Sequence, residues 1–157
     1  MFEGKRIRDI GKVDFSYEDF RSKLSMYKKE GFKFYVGTDS QISKDQIVVV
    51  TCLCVHNRFK GGGTGFYIKN RIKRYLYPTL RARMSMEAFN SIEAAFYFKD
   101  LMDTDITVHL DIGIDPKVNA TAFLVPELTG MVVGQGFKVG IKPYSWACDL
   151  ADKFTKS

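Results

Sequence analysis

Between residues 32 and 73 three β-prone runs follow one another with only short connections, whereas every later β-prone run is preceded by a helical one. Short connections join antiparallel neighbours, and a parallel pair needs a longer crossover, usually a helix. The order therefore predicts a mixed sheet covered by helices. The three runs are 32–38, 47–56 and 65–73, and the second, IVVVTCLCVH, is rich in β-branched residues. Gly61, Gly62 and Gly63 turn the chain between the second and the third. Ahead of them, residues 14–30 carry Phe20, Leu24 and Tyr27 at helical spacing with Gly31 as a stop. Residues 80–102 read as a long helix, apolar on more than one face, and 105–110 as a short alternating strand. A helix over 120–133 with a break before Pro126, a strand over 137–142 and a helix over 146–156 with Ser145 as N-cap complete the chain. The expectation is one α/β domain over residues 1–157, with an N-terminal helix at 14–30 and a core at 32–157. The core would be a five-stranded mixed sheet, its first three strands antiparallel, flanked by helices.

Such a length suffices for one sizeable core, and a hydrophobic content of 45% excludes a disordered chain. No apolar run approaches the roughly 18 residues of a membrane span. The start, MFEGKRIRDIGK, lacks the apolar stretch of a secretory leader. Three cysteines, an odd number without framework spacing, fit a reducing compartment, and a cytoplasmic location is expected.

Charge is distributed unevenly. The formal net charge is +6, yet between Asp45 and Glu87 there is no acidic residue at all. That stretch holds Arg58, Lys60, Lys69, Arg71, Lys73, Arg74, Arg81 and Arg83, so the whole positive excess lies in it. A local excess of this kind suits a polyanion, although a solvated basic face has the same composition.

The acids raise a different question. In FKFYVGTDSQ (32–41) an apolar strand ends on Asp39. A buried carboxylate is costly unless a donor, a cation or a metal ion accompanies it. Asp111 closes the fourth predicted strand, Glu87 lies in the first turns of the long helix, and Asp149 and Asp152 share a face of the last. If the first and fourth strands are neighbours, Asp39 and Asp111 emerge together, where α/β sheets place their sites. Carboxylates gathered at one point repel one another and persist when divalent cations neutralise them; Mg²⁺ prefers such oxygen ligands. Taken singly, each acid also has a plain structural reading: turn caps for Asp39 and Asp111, solvated helix acids for Glu87 and Glu93, a surface pair with Lys153 for Asp152.

Five stretches, VGTDSQ (36–41), RARMSMEAFNSIEAA (81–95), VHLDIG (108–113), GMVVGQGF (130–137) and IKPYSWACDLADKFTK (141–156), together resemble the ribonuclease H-like superfamily. Within it they look like the YkuK-type family of predicted ribonuclease H-related nucleases. The resemblance implies a ribonuclease H-like fold and a nuclease that hydrolyses phosphodiester bonds by a two-metal-ion mechanism using Mg²⁺ or Mn²⁺. Its catalytic and metal-binding acids would fall on Asp39, Glu87, Asp111 and Asp152. Glu93 and Asp149 stay open as alternatives to Glu87 and Asp152. The resemblance favours Glu87 through the Met-Glu pair near its helix start, and Asp152 through the Ala-Asp element of the last helix.

Arg58, Lys60, Lys69, Arg71, Lys73 and Arg74 are the expected nucleic-acid contacts, for RNA, an RNA–DNA hybrid or DNA. Phe59, Phe66, Tyr67, Tyr75 and Tyr77 are interleaved with them and offer rings for base stacking, unless they belong to the core. GGGTG (61–65) leads into a strand rather than a helix, which argues for a hairpin tip over a phosphate loop. Cys52, Cys54 and His56 share a strand face but stand about 7 Å apart in sequence-neighbour steps, too far to close round zinc. A module of the same fold that binds nucleic acid without cleaving it fits the basic segment equally well.

Overall fold

The computed structural model describes residues 1–57, 59 and 61–156. Two short strands come first, β1 (Ile7–Asp9) and β2 (Asp14–Phe15), followed by helix α1 (Tyr17–Lys29). Strands β3 (Lys33–Ser43), β4 (Gln46–His56) and β5 (Gly63–Lys73) form a meander. A 3-10 turn (Arg74–Leu76) leads into the long helix α2 (Leu80–Met102) and strand β6 (Ile106–His109). A second 3-10 turn (Ala122–Leu124), helix α3 (Val125–Gly134), strand β7 (Lys138–Gly140) and helix α4 (Trp146–Thr155) end the chain.

All strands join one sheet in the order β2-β1-β5-β4-β3-β6-β7. The meander is antiparallel, and β6 adds to β3, and β7 to β6, in parallel. The mixed α/β architecture is as expected, but the sheet has seven strands among the described residues, not five. The two extra strands are N-terminal. Ile7 and Arg8 pair with Phe15 and Asp14, and β1 then lies antiparallel on β5. That pairing also corrects the start of the first helix, expected at residue 14. Asp14 and Phe15 are strand, and the helix begins after Ser16, whose hydroxyl accepts from Asp19 N at 3.0 Å.

Side chains alternate across the sheet. On one face Phe34, Val36, Leu53, Val55, Phe66 and Ile68 pack under α1 and α2 with Phe20, Leu24, Ala88 and Phe98. Each fully buried Phe of this group contributes about 2–3 kcal/mol. On the other face Tyr35, Val50, Cys52, Cys54 and Tyr67 pack under α4 with Ala147, Ala151 and Phe154. Gly37 sets the depth of that second layer. A Cβ there would lie 2.8 Å from Ala147 C and Cys148 N, so α4 rests its backbone directly on β3.

Ser145 occupies the N-cap position of α4 but its side chain makes no capping bond. Ala147 N donates instead to His109 Nδ1 at 3.1 Å, and Cys148 N to the Ser145 carbonyl at 3.0 Å. The break expected before Pro126 is present: Pro126 sits in the first turn of α3, after the separate 3-10 turn. Among the described residues no helix is long and apolar enough to cross a membrane.

Candidate active site

β6 ends at His109, which pairs with Gly37, while β3 runs on to Ser43. Two residues beyond that last pair stand Asp39 and Asp111, so the register sets them side by side on the α4 face. The reading of Asp39 as the end of its strand is thereby corrected. It lies in mid-strand, opposite Val50 on β4, at the point where the β6 ladder stops. Beyond β6 the chain follows β7 instead, with Leu110 N donating to the Gly140 carbonyl at 2.9 Å.

Asp39 is only 8% exposed. Burial, and then the charges of Asp111 and Asp152, push its carboxyl up to about 7. Asp152 comes from the last turns of α4 and reaches Asp39 from above the sheet. Glu87 comes from α2, under the sheet, and is 5% exposed. Burial pushes its carboxyl well above the ordinary range; the Ser40 hydroxyl and Arg83 oppose the shift, while Asp39 and Asp111 add to it. Ser40 Oγ donates to Glu87 Oε2 at 2.7 Å. One helical turn on, Ser91 Oγ donates to Thr38 Oγ1 at 2.8 Å, so α2 is fastened to β3 at two successive points. Asp111 is paired with Lys142, Nζ to Oδ1 at 3.2 Å.

Glu87, Asp111 and Asp152, the other three acids named from the sequence, thus each fall within electrostatic reach of Asp39. Their competitors lie elsewhere. Glu93 is exposed, turned about 240° round the helix from Glu87. Asp149 lines an apolar recess with His56, Trp146, Leu150 and Lys153, towards the other end of the strands. Three residues that sequence reasoning passed over support the cluster: Ser40, Lys142 and Arg83. Ser40 was visible as the neighbour of Asp39 in TDS, but Lys142 and Arg83 carried no signal beyond a generic positive charge.

His109 is not a free base. It is buried between Tyr35 and Trp146, its Nδ1 accepts from Ala147, and burial pushes it down to about 4. Cys52, Cys54 and Cys148 are buried thiols raised by burial. Among the described residues no three His, Cys, Asp or Glu side chains stand close enough to hold an ion as they are placed, His56 and its neighbouring thiols included. The chemistry of the acid cluster nevertheless fits a hard divalent cation: its donors are all carboxylate oxygens, and two are held high by burial and mutual repulsion.

The expected nucleic-acid contacts divide. Lys69 is opposite Val50, which is opposite Asp39, so Lys69 and Asp39 share a row and a face two strands apart, about 10 Å. Arg71 and Lys73 follow on the same face, opposite Val48 and Gln46. Arg74 lies off that row, in the 3-10 turn, its Nη1 donating to the Lys44 carbonyl at 3.2 Å. Arg58 and Lys60 lie outside the described residues. Of the interleaved rings, Phe66 and Tyr67 are buried, whereas Tyr75, weighed as a core residue, is 75% exposed.

A mixed sheet with parallel β3–β6, a long helix beneath and acids at the end of the shared ladder is the ribonuclease H plan, and the chain belongs to the ribonuclease H-like family, whose model it matches over residues 16–156. It is a YkuK-type member: the uncharacterized protein YkuK of Bacillus subtilis (strain 168) is 30% identical over 94% of this chain and 95% of its own length. Membership supports a function connected with nucleic acid in general terms.

Proposed function

We propose that the protein is a metal-dependent nuclease that hydrolyses phosphodiester bonds of nucleic acid. The convergence of Asp39, Asp111, Asp152 and Glu87 on the end of the β3–β6 ladder carries this reading. Asp39, Glu87, Asp111 and Asp152 would hold two Mg²⁺ or Mn²⁺ ions. Bound there, such ions supply Lewis acidity for the phosphate and a nucleophile at neutral pH. In hydrolysis, water adds to phosphorus, the P–O bond to the leaving nucleotide breaks, and the departing oxygen takes up a proton. The chain's own part is placement. Ser40 orients Glu87, Gly37 lets α4 carry Asp152 down to Asp39, and Lys142 steadies Asp111. Lys69, Arg71 and Lys73 neutralise phosphates of the strand lying across the same face.

A second reading has an observation in its favour. Lys142 already partners Asp111, as in a module that binds without turnover. One experiment separates the two. The protein is incubated with RNA, RNA–DNA hybrid and DNA, in Mn²⁺ and in chelator. Cleavage in Mn²⁺ that chelator stops and Asp39→Asn abolishes is the expected result. Cleavage that survives Asp39→Asn with Asp111→Asn overturns the site. Salt-dependent binding without cleavage of any substrate leaves the binding module.

A further inference from the structure

β1 precedes the region matched by the family model and lies on the outer edge of β5, with Arg8 opposite Tyr67. The added strand makes a recess of about 410 Å³, lined by Arg6, Arg8, Tyr67, Lys69, Asn70 and Arg71. Four of these side chains are cations. The acid beside them is Asp14, which accepts from Arg6 Nε at 2.7 Å and Nη2 at 3.0 Å and from Arg8 Nε at 3.3 Å. Cations crowd one another in the recess: burial, and then Arg71, Arg8 and Lys12, push the Lys69 ammonium downward.

The wall of the recess holds a second anomaly. Tyr67 is 2% exposed and its ring stacks on Phe154, centroids 4.0 Å apart. Its hydroxyl is buried, within electrostatic reach of Arg6, and has no hydrogen-bond partner among the described residues. An unsatisfied buried hydroxyl is destabilising, a penalty that Phe would avoid at the same packing. Arginine forks beside an unused O–H donor make a constellation for a tetrahedral oxyanion.

We propose that this recess binds a phosphate group of the nucleic-acid strand, with Arg8, Lys69 and Arg71 around it and the Tyr67 hydroxyl donating to one oxygen. The proposal rests on the nucleic-acid reading but not on cleavage. Because Lys69 shares its row with Asp39, and Arg8 lies one strand further out, the held phosphate sits about 10–15 Å from the acid cluster. That is a few nucleotides along the strand. The recess would thus fix the register of the strand over the acids, through an element outside the matched family region.

The test is fluorescence anisotropy of end-labelled single-stranded RNA and RNA–DNA hybrid, titrated with the full-length protein in chelator over a salt series. Arg8→Ala is expected to weaken binding about tenfold and to reduce the salt slope by about 1. Tyr67→Phe is expected to weaken it about three- to tenfold while its Tm stays level or rises, since the substitution removes an unpaired hydroxyl. Unchanged affinity and slope in a folded Tyr67→Phe and a folded Arg8→Ala overturn the proposal. Should Arg8→Ala fail to fold, Tyr67→Phe decides alone, because Phe preserves the packing. Inorganic phosphate supplies the other arm. Phosphate that raises the Tm of the wild type but not of Arg8→Ala, while strand binding is the same for both, would assign the recess to free phosphate and overturn the strand assignment. Absence of cleavage by the wild type would sink the nuclease reading and leave these binding differences standing.

Discussion

Asp39, at the centre of the acid cluster, and the basic row share one face of one sheet, about 10 Å apart, and the two regions are constructed differently. Where β3 meets β6, short side chains are buried and tied: Asp39 beneath α4, Glu87 to Ser40, Thr38 to Ser91. Along β5 and β1 the charges sit on long side chains, and Arg6 is 66% exposed. Burial and mutual repulsion oppose charge on Asp39 and Glu87, whereas Arg6 keeps its charge near solvent. The contrast teaches where positional accuracy resides. On the proposed reading, hydrolysis draws on fixed oxygens, which Asp39 and Glu87 supply from buried positions, whereas grip on a polymer tolerates slack and rests on flexible arms.

The sharpest way to break this contrast is Asp39→Asn, which should lower the cleavage rate in Mn²⁺ by about a thousandfold or more and leave strand affinity within a few-fold. A loss under tenfold would remove the acid corner from the chemistry. Next in size is Gly37→Val. Its side chain would drive into the α4 backbone, and the expected loss is about 3 kcal/mol, or roughly 6–12 °C in Tm by thermal unfolding. An unchanged Tm would show that α4 is not seated on β3 as described.

The third prediction concerns pH. The Asp39 carboxyl titrates near 7 when folded, against 3.8 for the ordinary value. The folded protein therefore binds more protons than the unfolded chain between those limits. In chelator this contribution is fully present below about 4 and is lost as pH rises through 7, on the order of 4 kcal/mol. Mn²⁺ should flatten the slope in denaturant titrations, and a flat profile in chelator would mean that the acids do not interact. Smaller still, Lys69→Ala should weaken RNA binding several-fold and reduce the salt slope by about 1 without slowing turnover at saturation. Smallest is Glu93→Gln, expected within ±0.5 kcal/mol of wild type in stability and without effect on cleavage. A large effect there would reopen the choice of acid on α2.

Much of this was legible in the sequence because the signals were long or repeated. IVVVTCLCVH and the 23-residue α2 declare themselves through periodicity, and the order of elements fixes which strands run parallel. The positions of Asp39 and Asp111 followed once their strands were neighbours. The two N-terminal strands were not legible. IRD and DF are three and two residues long, too short for any alternation, and they are strands only because β5 offers an unpaired edge. The same cause hid Arg6 and Arg8, which enter the basic region through pairing rather than through sequence proximity. Ser145 was a reasonable cap by residue type, but His109, 38 residues before Ala147, takes over that residue's helix amide, and no local rule anticipates a long-range partner.

The early end of β6 has a consequence for how the molecule meets others. From Thr38 onward β3 has its β4 ladder on one side and no strand of its own sheet on the other. Bare strand margins invite foreign chains to add themselves, and proteins deter this by planting charge along them. Asp39 stands at that margin with Asp111 beside it, so the stretch of β3 left open by β6 is flanked by acidic side chains rather than by an apolar strip.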